Sequence, residues 1–343
     1  MKKIISEIIL GMSRAEKVEL LEALRGAIAN ELAQGAQGKP ASCPHCGCPA
    51  FVRKGRGRHG EQRWLCHGCA RTFSASTLGL LSRSKLGAPV WMEFAACMAD
   101  GLTLRESARR CGVSLYTAWF MRMRVCEVMA RRMPAARAGT FWVDETYVRE
   151  SLSGNHSRSA WFSMPREAHR NGQDGRRGNV GRNKGSFSVV CGVNEFGDCF
   201  CDLAERGTSC SGTFGLAVLR RVPSGSRLVT DENPAYSLGP GAPYEHEAYN
   251  SKGAGRGALG PVNALHSRLK SFLRRMRGVS SRRMQRYLDW FCYVEHYKNT
   301  DADRRELLFG HEASGRYIYT RSLTHMEEHL LNYCLRRPMS TLV

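Results

Sequence analysis

The chain has 343 residues, with 51 Lys and Arg against 31 Asp and Glu, and carries a formal net charge of +20. Its length predicts about two or three domains, and the sequence contains no apolar run of 18 residues, which excludes a membrane-spanning helix. The positive charge favours a nucleic-acid partner, because each Lys or Arg that neutralises a phosphate releases counterions.

Residues 1–36 are predicted to form a helical segment. Ser13 and Glu16 have the spacing of a capping box and should open a helix that runs to about Ala33. The apolar side of this helix would carry Val18, Leu20, Leu21, Leu24 and Ile28. Charges interrupt the first apolar stretch and no small-residue cleavage site follows it. We therefore expect a cytoplasmic, nucleoid-associated protein whose 14 cysteines are reduced.

Residues 37–80 have the spacing of a zinc ribbon. Two Cys-x2-Cys knuckles, separated by 19 residues, supply Cys43, Cys46, Cys66 and Cys69. Each knuckle can direct two thiolates at one Zn²⁺ ion, and the intervening residues would form a hairpin. Four thiolates leave no open coordination position, so this zinc is predicted to be structural.

The hairpin of this ribbon carries further informative residues. Trp64 and Phe73 are predicted to form its small core. His45, His67 and Cys48 are interpreted as non-ligands, because side chains inside a knuckle usually point outward. Five basic residues suit phosphate contact, with a solvated face as the less favoured alternative: Arg53, Lys54, Arg56, Arg58 and Arg63.

Residues 81–135 are predicted to contain a helix-turn-helix. A first helix over 104–110 would break at Gly112, and Ser114 would cap a second helix. The inner side of the second helix would carry Ala118, Met121, Val125 and Val128. The alternative is an ordinary helical hairpin. In a helix-turn-helix, the residues best placed to meet a major groove are Leu115, Tyr116, Thr117 and Arg122, with Arg124 nearer the phosphates.

Residues 136–300 change from a helical to a strand-like pattern. An apolar strand is interrupted by Asp144, and two alternating strands flank a turn at 195–198. A helix over 211–220 and a strand that ends at Asp231 follow, and then two basic helices. The segment 169–185 is rich in Gly, Asn and Arg and is predicted to be a mobile basic loop. Residues 301–343 would form a C-terminal extension.

Strands that carry carboxylates, followed by a helix about 30 residues later, are the order in which ribonuclease H-like nucleases assemble a two-metal site. Asp144 and Asp231 would meet across the sheet and hold Mg²⁺ or Mn²⁺, since such hard ions require oxygen ligands. The predicted fold is therefore multidomain, with a helical N-terminus, a zinc ribbon, a helix-turn-helix and an α/β ribonuclease H-like catalytic domain.

The chain resembles bacterial insertion-sequence transposases of the DDE superfamily, specifically the IS-fifteen-ninety-five group. The resemblance rests on "CPHC", "VDETYV", "VTDENPAY", "VNALHSRLK" and "RGVSSRRMQRYLDWF" and covers nearly the whole chain. The family motif is two aspartates, then Glu or Asn, then Lys seven residues later. It implies catalytic roles for Asp144, Asp231, Asn263 and Lys270, with the first three as magnesium ligands.

The resemblance implies a transposase that binds the terminal inverted repeats of its element, cleaves DNA with metal ions and joins the ends to target DNA. We also expect a homo-oligomer on DNA. Arg274 and Arg275, in the first basic helix, are expected to contact DNA phosphates.

The third motif position departs from a true acid, because no Asp or Glu lies between Ala248 and Asp289. Asn263 can offer a carbonyl oxygen to a metal, which is weaker than a carboxylate but hard enough. His266, one helical turn later, is a rival for this position, and Glu232 is the nearest extra carboxylate. Lys270 would hold a phosphate as a point charge. The alternative function is a catalytically inactive DNA-binding regulator derived from a transposase.

Overall fold

The structure, a computed structural model, describes residues 8–34, 39–57, 62–75, 77–79, 82, 84–149, 151, 186–207, 209–236, 238, 241–250, 257–280, 283–300 and 303–313. The chain divides into two compact units, with boundaries between Val128 and Met129 and between Asn299 and Thr300. The predicted basic loop over 169–185 lies outside the described residues.

Along the chain, the three strands of one sheet come before the five strands of the other. In the first unit the helices and strands are α1 (Arg14–Gln34), β1 (Phe51–Arg56), β2 (Gln62–Cys66), β3 (Thr72–Ser74), α2 (Ala88–Ala99), α3 (Leu104–Arg110) and α4 (Leu115–Arg132), which continues past the boundary. In the second unit they are β4 (Thr140–Arg149), β5 (Ser186–Asn194), β6 (Cys199–Arg206), α5 (Ser211–Arg221), β7 (Arg227–Asp231), β8 (Glu245–Tyr249), α6 (Gly260–Arg275) and α7 (Met284–His296). The last described helix, α8 (Arg304–Ala313), returns to the first unit.

The predicted capping box at the start of α1 is confirmed. The Ser13 amide donates to Glu16 Oε2 at 2.7 Å, and the Glu16 amide donates to Ser13 Oγ at 3.3 Å. α1 contacts α2 and α8. The predicted apolar side is nevertheless largely exposed, and the most exposed of these side chains are Val18, Leu21, Leu24 and Ile28.

The helical pair α3 and α4 has the predicted bounds and turn. A second capping box, in which Thr103 Oγ1 accepts from the Glu106 amide and Glu106 Oε2 accepts from the Thr103 amide, opens α3. Gly112 has φ +61°, a conformation that glycine adopts without a Cβ penalty. Ser114 Oγ accepts from the Thr117 amide at 3.1 Å and caps α4. The predicted inner side chains Ala118, Met121, Val125 and Val128 are buried.

Two helices of the first unit, α2 and α8, were not predicted. α2 has a Pro in its first turn and is buried over most of its length. Its apolar residues therefore do not repeat every three or four positions, as they do in a helix with one exposed side. α8 packs against α2, and the Arg305 guanidinium makes hydrogen bonds of 3.1 and 3.0 Å to the Asp100 carboxylate. None of the helices in the described segments is long and apolar enough to cross a membrane.

The second unit is built on a mixed five-stranded sheet with the order β6-β5-β4-β7-β8. β4, β5 and β6 pair antiparallel, whereas β7 lies parallel to β4 and β8 parallel to β7. β8 was not predicted, because its sequence EHEAY is polar and its strand form depends on the ladder with β7. The sheet carries α5 against β6 and α6 against β4 and β5.

A close contact inside the sheet requires a glycine. Gly192 on β5 lies opposite Phe200 on β6, and a Cβ at Gly192 would clash with the Phe200 ring. Because Gly192 has no side chain, the Phe200 ring can lie over it and pack in the core cluster of Phe141, Val143, Leu228 and their neighbours. This core packs under the strand residues that precede Asp144 and Asp231.

A polar clamp fixes the segment before β4 to the turn between β5 and β6. The Arg137 amide and Nε donate to Asp198 Oδ2 at 3.0 and 2.9 Å, and Asn194 Nδ2 donates to the same oxygen at 3.1 Å. The Arg137 guanidinium also lies over the Phe196 ring at 4.6 Å. Burial opposes the shift, but the hydrogen bonds and charge of Arg137 lower the pKa of Asp198 to about 2.

We expect Asp198→Asn to destabilise the protein by about 1–3 kcal/mol, because donors that face a buried carboxylate lose a charged acceptor. Since the folded pKa lies below the ordinary 3.8, the ionised Asp198 stabilises the fold above that value. This stability is lost as the pH falls from about 4 through 2. Chemical denaturation of the variant and the wild type between pH 7 and pH 2 measures the difference. Glu195→Gln, in the same turn but exposed, is the control, and an equal loss in both variants would contradict the clamp.

Candidate metal centre and active site

Four thiols of the first unit converge at the two knuckles. Cys43, Cys46, Cys66 and Cys69 place their Sγ atoms within 4.8 Å of one another. Two of the separations are 3.7 Å, from Cys43 to Cys69, and 3.6 Å, from Cys46 to Cys66. Ligands at about 2.3 Å from a tetrahedral Zn²⁺ are about 3.8 Å apart. The four thiols therefore fit a metal such as zinc.

The backbone of the second knuckle favours a thiolate. Burial acts to raise the pKa of Cys66, but hydrogen bonds from the Cys69 amide, the Cys46 thiol and the Gly68 amide lower it to about 6. Gly68 also permits the close approach of the first knuckle, since a Cβ there would meet Cys48 Cβ at 3.0 Å and Sγ at 3.1 Å. Cys48 is not part of the four-thiol group; its Sγ lies 3.7 Å from the Ala50 carbonyl.

The predicted aromatic core of the ribbon is present and includes a third ring. Trp64 and Phe73 are buried and stack with centroids 6.0 Å apart, and the Phe51 ring meets Phe73 edge-on at 5.2 Å. The three strands β1, β2 and β3 pair antiparallel around these rings. Arg53, Lys54, Arg56 and Arg63 are exposed, and Arg58 lies outside the described residues.

Of the four residues predicted to meet a major groove, three lie at the surface of α4, among them Leu115, which is 47% exposed, and one does not. Tyr116 is 65% exposed and Thr117 is half-buried. The prediction that Arg122 faces a groove is not supported, because it is 1% exposed and its guanidinium donates to the Leu102 carbonyl at 2.8 Å. Arg124 is also buried, with a hydrogen bond of 3.1 Å to the Gly79 carbonyl. Both arginines satisfy backbone carbonyls and pack inside the unit.

In the second unit, the two aspartates of the predicted site are neighbours. The parallel ladder of β4 and β7 pairs Trp142 with Val229, and Asp144 and Asp231 each follow two residues later. Positions equally far along two parallel strands direct their side chains to the same face, and the two carboxylates are close enough to interact electrostatically. Burial first, and then the charges of Asp231 and Glu145, raise the pKa of Asp144 to about 6. A bound cation would relieve both effects.

Hydrogen bonds hold each carboxylate at one oxygen. Asp144 Oδ1 accepts from the Glu145 amide at 2.8 Å and from Tyr236 Oη at 2.9 Å. Asp231 Oδ1 accepts from the Asn233 amide at 3.0 Å. Sequence reasoning missed Tyr236, because its contact with Asp144 joins residues 92 positions apart.

The carboxylates next to each aspartate are engaged elsewhere. Glu145 is buried and accepts from Tyr147 Oη at 3.2 Å and from the Ser209 amide at 3.3 Å. Adjacent strand residues point to opposite faces, so Glu145 lies away from the face that Asp144 and Asp231 share. Glu232 is exposed and accepts from Asn250 Nδ2 at 2.9 Å.

α6 brings His266 to the aspartate strand. His266 is 6% exposed. Burial and the charge of Lys270 lower its pKa to about 4, partly offset by the interaction of the ring with the Asp144 backbone. Its Nε2 has no hydrogen-bond partner among the residues described. The imidazole is therefore neutral near pH 7.

Asn263 and Lys270 lie on the exposed side of the same helix. Seven residues are about two turns, so both side chains lie on one face, and His266 borders it at about 60°. Within the described part of the chain the Asn263 side chain makes no hydrogen bond, although its carbonyl accepts from Ser267 Oγ at 3.1 Å. Arg274 and Arg275, at the end of α6, are exposed as well.

The comparisons with known proteins yield only distant likenesses. No family model and no curated protein matches the sequence. A pre-cleavage Mos1 transpososome is similar at 14% identity over 67% of this chain and 80% of the other, with a TM-score of 0.28. The Mos1 strand transfer complex is similar at 12% identity over 65% of this chain and 78% of the other, with a TM-score of 0.21.

Proposed function

We propose that this protein is a DDE-type transposase that binds the terminal inverted repeats of an insertion sequence and catalyses DNA cleavage and strand transfer. The observation that carries the proposal is the pair of Asp144, within β4, and Asp231, at the end of the parallel strand β7, with one oxygen of each fixed by hydrogen bonds. This juxtaposition is what the ribonuclease H-like arrangement requires.

The donor set of the site suits Mg²⁺ or Mn²⁺, because two carboxylates and the amide oxygen of Asn263 are hard ligands. Divalent ions bound there would supply an activated hydroxyl and stabilise the leaving oxygen of a phosphodiester. Asp144 and Asp231 would hold the metal, Asn263 would contribute a neutral oxygen, and Lys270 would hold a phosphate of the DNA. His266 is the less suitable third ligand, since imidazole prefers softer metals.

The first unit supplies DNA recognition in this proposal. Tyr116 and Thr117 at the exposed start of α4 would meet the major groove, as expected of a recognition helix. The exposed basic side chains on β1 and β2 would contact phosphates, which orient a protein on DNA without reading its sequence. Zinc bound by the four thiols would stabilise the ribbon that carries them.

The exposed basic face of α6 is proposed to grip DNA next to the aspartates. If Arg274 and Arg275 each contact one phosphate, Arg274→Ala with Arg275→Ala should make the slope of log Kd against log salt shallower by about 1.8, at about 0.9 for each contact. Fluorescence anisotropy with repeat-end DNA across a salt series measures this slope.

Arg220→Ala is the control for this test, since Arg220 is exposed on α5. Its slope should equal that of the wild type. An unchanged slope in the double variant would mean that the two arginines are solvated side chains that do not contact DNA phosphates.

A strand-transfer assay tests the function itself. The full-length, zinc-loaded protein is incubated with repeat-end DNA, target DNA and Mg²⁺ or Mn²⁺, and the joined products are resolved on a denaturing gel. We expect metal-dependent joined products. Binding to repeat ends with no cleavage in either metal would overturn the proposal in favour of an inactive DNA-binding regulator, which the neutral Asn263 at the third position would explain.

A further inference from the structure

Tyr236 contacts Asp144 in the aspartate site, although it is not one of the proposed metal ligands. The side chain is 3% exposed, and its ring stacks on Phe214 with centroids 4.3 Å apart. This packing fixes the ring within the core cluster beneath β4. The phenolic oxygen is thus held at a defined place at the edge of the core.

The hydroxyl of Tyr236 is directed at Asp144. It donates to Asp144 Oδ1 at 2.9 Å and accepts from the Glu145 amide at 3.3 Å. The Glu145 amide also donates to Asp144 Oδ1 at 2.8 Å. Among described residues, Oδ1 takes both hydrogen bonds that the Asp144 carboxylate accepts. Its two lone pairs are therefore occupied, and Oδ2 is the oxygen left to bind a cation.

The segment that carries Tyr236 begins at the other aspartate. In "DENPAY", the Asn233 amide donates to Asp231 Oδ1 at 3.0 Å, and Asn233 Oδ1 accepts from the Ala235 amide at 3.1 Å. The Tyr236 amide donates to the Asn233 carbonyl at 2.9 Å, which closes a short 3-10 helix over Pro234–Tyr236. Six residues of chain thus connect the hydrogen bond on Asp231 to the hydrogen bond on Asp144.

We propose that Tyr236 is a positioning residue that orients the Asp144 carboxylate so that Oδ2 is presented to the divalent cation shared with Asp231. This inference rests on the proposed function. Partners that orient a metal ligand commonly change metal affinity by about 10–100-fold when they are removed. The turn after β7 would therefore set the geometry of both acidic ligands from one rigid segment.

The competing explanation is that Tyr236 only fills the core. Tyr236→Phe separates the two, because it keeps the ring on Phe214 and removes only the hydroxyl. Tyr244→Phe is a matched control: Tyr244 packs against the same core cluster, and its Oη donates to the Val222 carbonyl at 3.1 Å, away from both aspartates. Thermal melting of both variants measures what the loss of a core hydroxyl does to stability.

The decisive measurement is Mn²⁺ affinity, determined by electron paramagnetic resonance on the full-length, zinc-loaded protein bound to repeat-end DNA. Tyr236→Phe should raise the Kd for Mn²⁺ by about tenfold, and Tyr244→Phe should leave it unchanged. In strand transfer, the Mn²⁺ concentration for half-maximal rate should rise by the same factor. The rate at saturating Mn²⁺ should stay near that of the wild type.

The possible failures are distinguishable. If Asp231→Asn weakens Mn²⁺ binding but Tyr236→Phe binds like the wild type, the role of Tyr236 is overturned and the metal site stands. If Asp231→Asn also leaves Mn²⁺ binding unchanged, the proposed metal site itself is wrong. Equal weakening in Tyr236→Phe and Tyr244→Phe would attribute the effect to the core and would likewise overturn the positioning role.

Discussion

Asp231→Asn is expected to reduce cleavage and strand transfer by at least about a thousandfold, which corresponds to about 4 kcal/mol of transition-state stabilisation. The substitution preserves the size of the side chain and an oxygen that can accept from the Asn233 amide. It removes the charge that Asp231 contributes beside Asp144. A metal pair held by one carboxylate would be neutralised mainly by the DNA phosphates, so its binding should fail.

Binding to repeat-end DNA should persist in the same variant, because the proposed reading residues lie in the first unit and Asp231 lies in the second. Anisotropy and the strand-transfer assay, performed on one protein preparation, separate the two activities. Asn263→Ala should cost less than Asp231→Asn, since an amide oxygen is a weaker ligand than a carboxylate.

Glu232→Gln is the matched control for Asp231→Asn. It neutralises the adjacent carboxylate, which is exposed and pairs with Asn250. We expect strand transfer close to that of the wild type. A loss as large as that of Asp231→Asn would make Glu232 the missing third acid, whereas near wild-type activity of Asp231→Asn in Mg²⁺ would place the metal site elsewhere.

Cys66→Ser is expected to release the zinc ion and unfold the ribbon. Cys66 is buried, and its thiol lies 3.6 Å from Cys46 in the four-thiol group. Structural zinc supplies about 10–16 kcal/mol of binding free energy to modules of this kind, and their own cores are too small to replace it. The aromatic core of Trp64, Phe73 and Phe51 should therefore open when the ion leaves.

Metal analysis by mass spectrometry should find about one zinc per wild-type chain and none in Cys66→Ser. Trp64 fluorescence should shift towards that of a solvated indole, although the other tryptophans must be replaced by Phe to isolate this signal. Cys48→Ser is the control, because Cys48 is close to the knuckles but outside the four-thiol group. Full zinc content in Cys66→Ser would exclude the four-thiol site.

Patterns within a few residues of sequence were enough to predict the two knuckles, the start of α4 and the hairpin of β5 and β6. The knuckle spacing predicted the four-thiol group, because each Cys-x2-Cys turn holds its own two thiols in place wherever it lies. The capping residue Ser114 and the turn at Gly112 fixed α4, since both act within one turn of the backbone. The alternation of β5 and β6 around 195–198 likewise predicted a hairpin.

The tertiary structure alone decided which side chains meet across long separations. Arg122 follows the surface pattern of a recognition helix, yet it is buried because the Leu102 carbonyl needs a donor inside the unit. β8 is a strand only because β7 offers a ladder beside it. The motif spacing singled out Asp144 and Asp231, but the hydroxyl that orients Asp144 comes from Tyr236, whose sequence position gives no sign of that contact. Periodicity and spacing describe neighbours along the chain, whereas a hydrogen bond between residues far apart in sequence depends on how the whole sheet and its helices pack.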